Sequence, residues 1–286
     1  TFVHRAGSMI ADSRISITHL DSSHPDYTRW RRAAESAVLR GALVCTLLEE
    51  EIELAGARVL DAGCGVGGTS IALQKRGADV TAADIRNERL DALRTSTSGI
   101  GVQEADLAAL PFADGVFDAV VLQDVIEHVA DPARVLTQLA RVLRPGGTLY
   151  LSTPNRDALL NLLADPHFNL PLVSRLTREE LRNVLRKKRP ADADRPDIAE
   201  LLDAARLDSL LTSAGLSWRY ANRSAAAMMF RQPETVVWSS VHLSIVRVLV
   251  RTGLHIPLRT MVRDTPGFFN RWLNPTWYIL ARKEAS

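Results

Sequence analysis

The sequence predicts an α/β fold, a mostly parallel sheet flanked by helices, and three observations carry the prediction. Short apolar runs at Val59-Leu60, Ala78 to Ala83, Gly101 to Gln103, Ala119 to Leu122 and Thr148 to Ser152 are separated by stretches with helical spacing. Such alternation marks parallel strands joined by crossover helices. The first run leads into a glycine-rich turn, Gly63-Cys64-Gly65-Val66-Gly67-Gly68, and the turn into a helical pattern through Ile71, Ala72 and Leu73. Finally, 286 residues with 46% hydrophobic content supply one well-packed core and a smaller appended region.

Ahead of the alternation, Trp30, Ala34, Ala37, Val38, Val44, Leu48 and Ile52 keep close to a 3.6-residue period, which predicts an amphipathic helix over Tyr27 to Leu54. The first residues, with Gly7, Ser8 and Met9, read either as a cloning junction or as native chain, and disorder is expected there. Composition narrows the function. A net charge of +2 with dispersed basic residues lacks the dense stripe of a nucleic-acid binder. Cys45 and Cys64 are too few for a disulfide framework or a thiolate metal cluster and suit a reducing, cytoplasmic compartment. The most apolar late run, Val236 to Val250, is interrupted by His242 and Arg247 and should not span a membrane.

The turn after the first strand is the most informative segment. Glycines there let a backbone approach a ligand without Cβ obstruction, and ligands of doubly wound sheets bind at the carboxyl ends of the strands. Asp84 ends the second strand, where a carboxylate accepts both hydroxyls of a ribose. Gly63, Gly65 and Gly68 also satisfy a dinucleotide spacing. Asp61 argues against that reading, because a carboxylate beside the turn favours a ligand carrying an ammonium over a pyrophosphate. The alternative is that Asp61 and Asp84 only cap their strand ends.

From about residue 57 to 154 the chain resembles the class I methyltransferases. The residues carrying the resemblance are Leu60-Asp61-Ala62-Gly63-Cys64-Gly65-Val66-Gly67, Asp84, Ala105-Asp106-Leu107, Phe117-Asp118-Ala119-Val120 and Leu143-Arg144-Pro145-Gly146-Gly147. The resemblance implies a Rossmann-like, seven-stranded, mostly parallel sheet with the last strand antiparallel, and S-adenosyl-L-methionine as cofactor, leaving as S-adenosyl-L-homocysteine. It further implies that Gly63, Cys64, Gly65 and Gly67 pass under the methionine part, with Asp61 beside them. Asp84 with Ile85 would hold the adenosine ribose, Asp106 and the Leu107 amide would read adenine, and Gln123 would offer its carbonyl to the ammonium. Pro145-Gly146-Gly147 would end a helix and enter the fifth strand, with a left-handed glycine at the helix terminus.

Methyl transfer from a sulfonium needs little beyond alignment, plus a base or metal where the nucleophile is protonated. The candidates are Asp124, Glu127 and His128 in Gln123-Asp124-Val125-Ile126-Glu127-His128-Val129-Ala130-Asp131-Pro132. This segment resembles two groups. The ubiquinone-biosynthesis O-methyltransferases share acid-x-x-Glu-His-Val-x-Asp-Pro, and the small-RNA 2′-O-methyltransferases join acid-x-x-Glu-His to a later histidine around a divalent metal. Both imply oxygen as the nucleophile. Here Asp124 stands where glutamate is usual, and His167 is the later histidine available. The metal set is therefore incomplete and no metal ligand is assigned. His128 as a metal-free base is the competing role, as is a structural one in which Glu-His ties the loop to the sheet and Asp131 caps a helix starting at Pro132.

Three parts are expected: a helical segment over 1–56, a cofactor-binding core over 57–155, and 156–286 completing the sheet. Ala205 to Gly215 would be the last core helix, and Leu216 to Ala221 and Trp277 to Ala281 the last strands. Helical insertions over about 156–196, with Thr177 as a helix cap, and 224–275 would form a lid over the acceptor. Met228, Met229, Phe230, Trp238, Phe268, Phe269 and Trp272 could line an apolar or aromatic acceptor pocket or be plain core. Val236 to Arg263, apolar with interspersed arginines, could rest on a membrane surface. The preferred reading is methyl transfer to a small-molecule oxygen. A metal-dependent RNA 2′-O-methyltransferase and a cofactor-binding protein without transfer activity stay open.

Overall fold

The computed structural model describes residues 22–24, 26–237 and 240–285, so Gly7, Ser8, Met9 and Trp238 lie outside the described residues. The helix expected over Tyr27 to Leu54 is shorter and jointed, as α1 (Tyr27–Glu35) and α2 (Ala37–Leu48). At the joint the Ser36 hydroxyl donates to the Ala33 carbonyl at 3.2 Å, competing with the helical ladder. Beyond Leu48 come Glu49, Glu50 and Glu51, three negative charges where the helix dipole is itself negative.

Seven strands follow: β1 (Arg58–Ala62), β2 (Asp79–Asp84), β3 (Gly101–Glu104), β4 (Phe117–Gln123), β5 (Leu143–Pro154), β6 (Leu216–Tyr220) and β7 (Thr276–Lys283). They form one sheet in the order β3-β2-β1-β4-β5-β7-β6. Every pairing is parallel except those of β7, which runs antiparallel to both β5 and β6. The expected topology is therefore present. The crossover helices are α3 (Gly68–Gln74), α4 (Asn87–Ser96), α5 (Pro132–Val142) and, before β6, α9 (Ala204–Ser213). Asp131 caps α5 as expected, its carboxylate accepting from the Arg134 amide at 3.0 Å with Pro132 in the first turn.

Side chains alternate across the strands, and the two faces feed two cores. Leu60, Val120, Leu122, Leu149 and Leu151 pack with α5 and α9, while Val59, Val121, Tyr150 and Leu280 pack with α2 and α3. Gly41 and Gly68 allow α2 and α3 to touch: a Cβ on Gly68 would lie 2.5 Å from the Ala37 backbone. The expected role of Pro145-Gly146-Gly147 is corrected. Helix α5 ends at Val142, and these residues form an irregularity inside β5, where the register jumps from Phe117↔Leu143 to Ala119↔Thr148. Gly146, at φ +73, absorbs the extra residues, so the bulge explains the glycine better than a helix cap does.

The stretch between β5 and α9 holds α6 (Leu159–Leu163), α7 (Arg178–Lys188) and α8 (Pro190–Ala193), the last two beside a small core of Phe168, Val173, Leu181, Leu185, Ala193 and Ile198. Thr177 opens α7 with a capping box shared with Glu180. Between β6 and β7 lie α10 (Asn222–Arg231), α11 (Ser240–Arg251), α12 (His255–Met261) and a π turn over Phe269–Leu273. A buried amide network ties both stretches to the sheet. Asn155 Nδ2 donates to the carbonyls of Asn270, Arg271 and Asn274, and Asn270 Nδ2 donates to those of Arg263 and Thr265. Among the described residues no helix is long and apolar enough to cross a membrane.

Candidate active site

The chain leaves β1 toward β2 and β3 on one side and returns to β4 on the other, opening a crevice at the carboxyl ends of β1 and β4. The glycine turn occupies this crevice, and its glycines serve different ends. Gly63, at φ +74, donates its N–H to the Ala83 carbonyl at 2.7 Å, and a Cβ there would fall 2.6 Å from the Val125 side chain. Gly67, at φ +80, precedes α3 and is crowded by Leu93. Gly65, at φ +55, has nothing within 4 Å of a Cβ position, so here the turn presents bare backbone to open space.

Asp84 is buried beneath that backbone. One carboxylate oxygen accepts the Gly65 N–H at 3.0 Å and the other the Arg86 N–H at 2.9 Å, with the Arg89 guanidinium 3.7 Å away. Each oxygen keeps a second lone pair. Beside it Ile85 is 64% exposed, an isolated apolar surface next to a carboxylate. Asp106 is exposed and accepts from the Ala108 N–H at 2.8 Å, capping a short turn whose first residue, Leu107, is buried. Asp61 lies under the turn rather than on it. It is fully buried, accepts the Ser70 hydroxyl at 2.5 Å, and has its pKa pushed up to about 6 by burial, with the Asp84 charge a lesser cause. The Gln123 side chain accepts from the Thr69 hydroxyl at 2.6 Å. Burial pushes the Cys64 thiol well above its usual range, and the thiol donates to the Gly65 carbonyl at 3.6 Å.

At the end of β4 the three candidate catalytic residues diverge. Asp124 adopts a left-handed φ of +54; its carboxylate accepts the Ser152 hydroxyl at 2.8 Å and lies 3.6 Å from Arg40 of α2. Glu127 is buried, with Oε2 accepting the Thr153 hydroxyl at 3.0 Å and Oε1 without a hydrogen bond, 4.0 Å from His167 Nε2. Burial raises the Glu127 pKa to about 8, and the Asp124 charge adds to the rise. His128 Nδ1 is 2.7 Å from the Asp197 carbonyl, and its ring meets His167 edge-on at 4.9 Å. A carbonyl only accepts, so Nδ1 carries the proton and Nε2 the lone pair. Burial holds the His128 pKa below its usual value.

Glu127, His128 and His167 thus each offer a ligand atom within 4.8 Å of the others, a cluster that does not include Asp124. Arg40, Ser152, Thr153 and Asp197 were not singled out from the sequence. Their contacts span from 26 residues, Thr153 to Glu127, to 84, Arg40 to Asp124, and no local motif marks them. The apolar candidates do not converge on one pocket. Met228 packs on the core beside β7, Phe230 lies 5.5 Å from His255, and Trp272 sits under Arg175 and Arg271. Phe268 is exposed. A hollow of about 580 Å³ lined by Glu49 to Ala55 and Arg76 lies at the amino ends of the strands, away from this chemistry.

Residues 60–151 match the methyltransferase domain family. Over 120 residues the chain is 46% identical to a ubiquinone biosynthesis O-methyltransferase of Xanthomonas oryzae pv. oryzae, covering 40% of this chain and 49% of the relative. The chain spans about half the length of the curated relatives it matches. An S-adenosylmethionine-dependent methyltransferase structure from Mesorhizobium loti superposes with a TM-score of 0.53 at 17% identity, covering 85% of this chain and 98% of the other. The [4+2]-cyclase SpnF superposes with 0.52 at 18% identity, covering 99% and 94%. Likeness at such identity shows the fold alone, which a chain described as a cyclase shares. The glycine turn lies within the matched segment, and the strand order is the fold shared with those structures; residues 60–151 of this chain thus match the methyltransferase domain family, and the chain is similar over part of its length to the ubiquinone-biosynthesis O-methyltransferases.

Proposed function

We propose that this chain transfers a methyl group to a hydroxyl of a small, apolar or aromatic acceptor, by in-line displacement, in a reducing compartment such as the cytoplasm. The observation that carries this reading is the His128 imidazole. Tethered through Nδ1 and held neutral by burial, it offers an Nε2 lone pair just beyond β4, next to the crevice of the glycine turn. The residues present fit the cofactor. Gly65 leaves open the space a Cβ would fill, Asp84 keeps lone pairs for ribose hydroxyls, Ile85 offers an apolar face to adenine, and Asp106 with Leu107 flanks it. Asp61, Gly63, Cys64, Gly67 and Gln123 shape the floor of the site.

S-adenosylmethionine supplies an activated methyl group when bound. The chain's contribution is alignment, exclusion of water and removal of a proton. His128 takes the proton of the acceptor hydroxyl at Nε2, and the Asp197 carbonyl stabilises the imidazolium through Nδ1. Asp124, fixed by Ser152 and Arg40, orients the loop. The stretch carrying α6 to α8 brings His167 and Asp197 over β4 and so acts as a lid.

A second reading rests on the cluster of Glu127, His128 and His167. One buried carboxylate and two imidazoles suit a divalent transition ion, which would lower a hydroxyl pKa, and Glu127 Oε1 is a donor without a hydrogen bond. Both readings use His128, and one experiment separates them. Methyl-labelled S-adenosylmethionine is incubated with fractionated metabolites, lipids and RNA, with and without chelator. The base reading expects label in a metabolite or lipid fraction, chelator resistance, and a loss of about 100-fold or more in His128→Ala. Chelator-sensitive transfer would establish the metal reading, and label in RNA would overturn the small-molecule acceptor.

A further inference from the structure

The stretch between β6 and β7 carries a feature that methyl transfer does not use. From Arg223 to Leu273 there are seven arginines and no lysine, against only Glu234 and Asp264, a net charge of +5 where the whole chain has +2. The rest of the chain is therefore net acidic, and the positive charge is concentrated here. The two acids are already engaged: Glu234 pairs with Arg247, and Asp264 accepts the Arg223 backbone N–H at 2.9 Å. Among the described residues, no acidic group pairs with the side chains of Arg223, Arg251 or Arg259.

The same stretch exposes apolar surface. Helix α12 has no buried residue although it contains Ile256, Leu258 and Met261, and Ile256 is 62% exposed. In the same stretch of chain Ile245 and Val248 on α11, Leu254 ahead of α12, and Phe268, which is 70% exposed, also face solvent. An apolar helix left unburied is unfavourable in water and favourable against a partner with an apolar interior. Between α10 and α12 lies a hollow of about 430 Å³ lined by Arg223, Ser224, Ala226, Ala227, Ile256, Arg259 and Thr260, which places two unpaired guanidiniums and two hydroxyls beside exposed aliphatic side chains.

We propose that α11, α12 and the segment to Phe268 form a docking surface for an anionic lipid bilayer, with the hollow between α10 and α12 seating a phosphate headgroup. Charge complementarity selects this occupant. Arginines without acidic partners match a negatively charged surface, and the aliphatic and aromatic side chains among them match the boundary of headgroup and acyl chain, where amphipathic helices lie. A nucleic acid would leave the exposed Ile256, Met261 and Phe268 in water, and a second copy of the chain would set arginine against arginine. The surface belongs to the stretch that also holds α10 against the sheet, so a chain docked there would work at the edge of a membrane without crossing it.

The test is co-sedimentation of the whole protein with vesicles of phosphatidylcholine alone and of phosphatidylcholine mixed with phosphatidylglycerol. The protein should pellet with the anionic vesicles, remain in solution with the neutral ones, and be released by high salt. Arg223→Glu combined with Arg259→Glu should weaken binding about tenfold or more. Ile256→Ser combined with Phe268→Ser should also reduce it, without altering charge. Thermal melting and S-adenosylmethionine affinity, measured on each variant, should be unchanged, which separates failure of the surface from failure of the transferase reading. Equal binding to neutral vesicles, indifference to both double variants, or concentration-dependent dimerisation through this face would overturn the proposal.

Discussion

Asp61 shows how a single residue can cost stability where the fold buries a carboxyl group. Its pKa is raised from 3.8 to about 6 because burial penalises the carboxylate, and Ser70 offsets that penalty only in part. A carboxyl with a raised folded pKa ionises first in the unfolded chain. Between about pH 4 and 6 the unfolded state therefore binds fewer protons than the folded one, and stability falls as pH rises; above about 6 the loss is constant. The total is on the order of 3 kcal/mol. Urea titrations across pH should show Asp61→Asn free of this part of the slope, and more stable than the parent at pH 7. A parent and variant with parallel profiles would mean that Asp61 is already charged and compensated in the folded state. Ser70 was not a candidate from the sequence, although it lies nine residues from Asp61, because helix α3 must first fold back along β1 to bring the hydroxyl over.

At the scale of elements, the glycine turn combines two closely packed glycines with one that is open. Gly63→Ala sets a Cβ against Val125 at a φ of +74 and should cost about 2–4 kcal/mol in denaturant unfolding. Gly65→Ala meets nothing within 4 Å and should cost only about 1–2 kcal/mol, the strain of a left-handed alanine. Its methyl group enters the open space above Asp84, so calorimetry should show S-adenosylmethionine affinity reduced at least tenfold. The reverse ranking, with Gly65→Ala the less stable protein and unimpaired in binding, would remove the turn as the cofactor's floor. The motif was legible as one object in the sequence. Its division of labour was not, because the sequence does not show that Val125 and Leu93 approach two of the glycines and leave the third uncovered.

For the whole molecule, the order β3-β2-β1-β4-β5-β7-β6 buries β1, β4 and β5 between neighbours on both sides. Local opening of a central strand requires global unfolding, while an exposed helix opens freely. Hydrogen exchange should find the slowest amides in β1, β4 and β5 and fast exchange across α12, which has no buried residue. Slow exchange in α12 of the free protein would show that it packs on something beyond the described contacts. The parallel part of the sheet was legible because strand periodicity and turn glycines are local signals, whereas the seven strands and the antiparallel last one came from the resemblance to the class I methyltransferases. The extent of helix α1 and the role of Pro145-Gly146-Gly147 were misjudged, and the choice between pocket and core for the apolar and aromatic residues was left open. Each depends on a competing contact that sequence spacing does not contain: a serine hydroxyl on the helix ladder, a strand register, and the direction in which an insertion folds.

The sequence by itself determined the sheet, the crevice and the residues at its mouth, since alternation, glycine positions and strand-end carboxylates are written within short windows of chain. Only the tertiary structure decided which of those residues lie together. Asp124, Glu127 and His128 lie within five positions, yet the left-handed backbone at Asp124 turns its carboxylate to Ser152 and Arg40. Glu127 and His128 meet instead Thr153, His167 and Asp197, brought in by β5 and by the stretch that follows it. The physical reason is that a catalytic or metal-holding geometry depends on distances of a few ångströms between groups far apart in the chain. Those distances are set by packing, which no local pattern encodes.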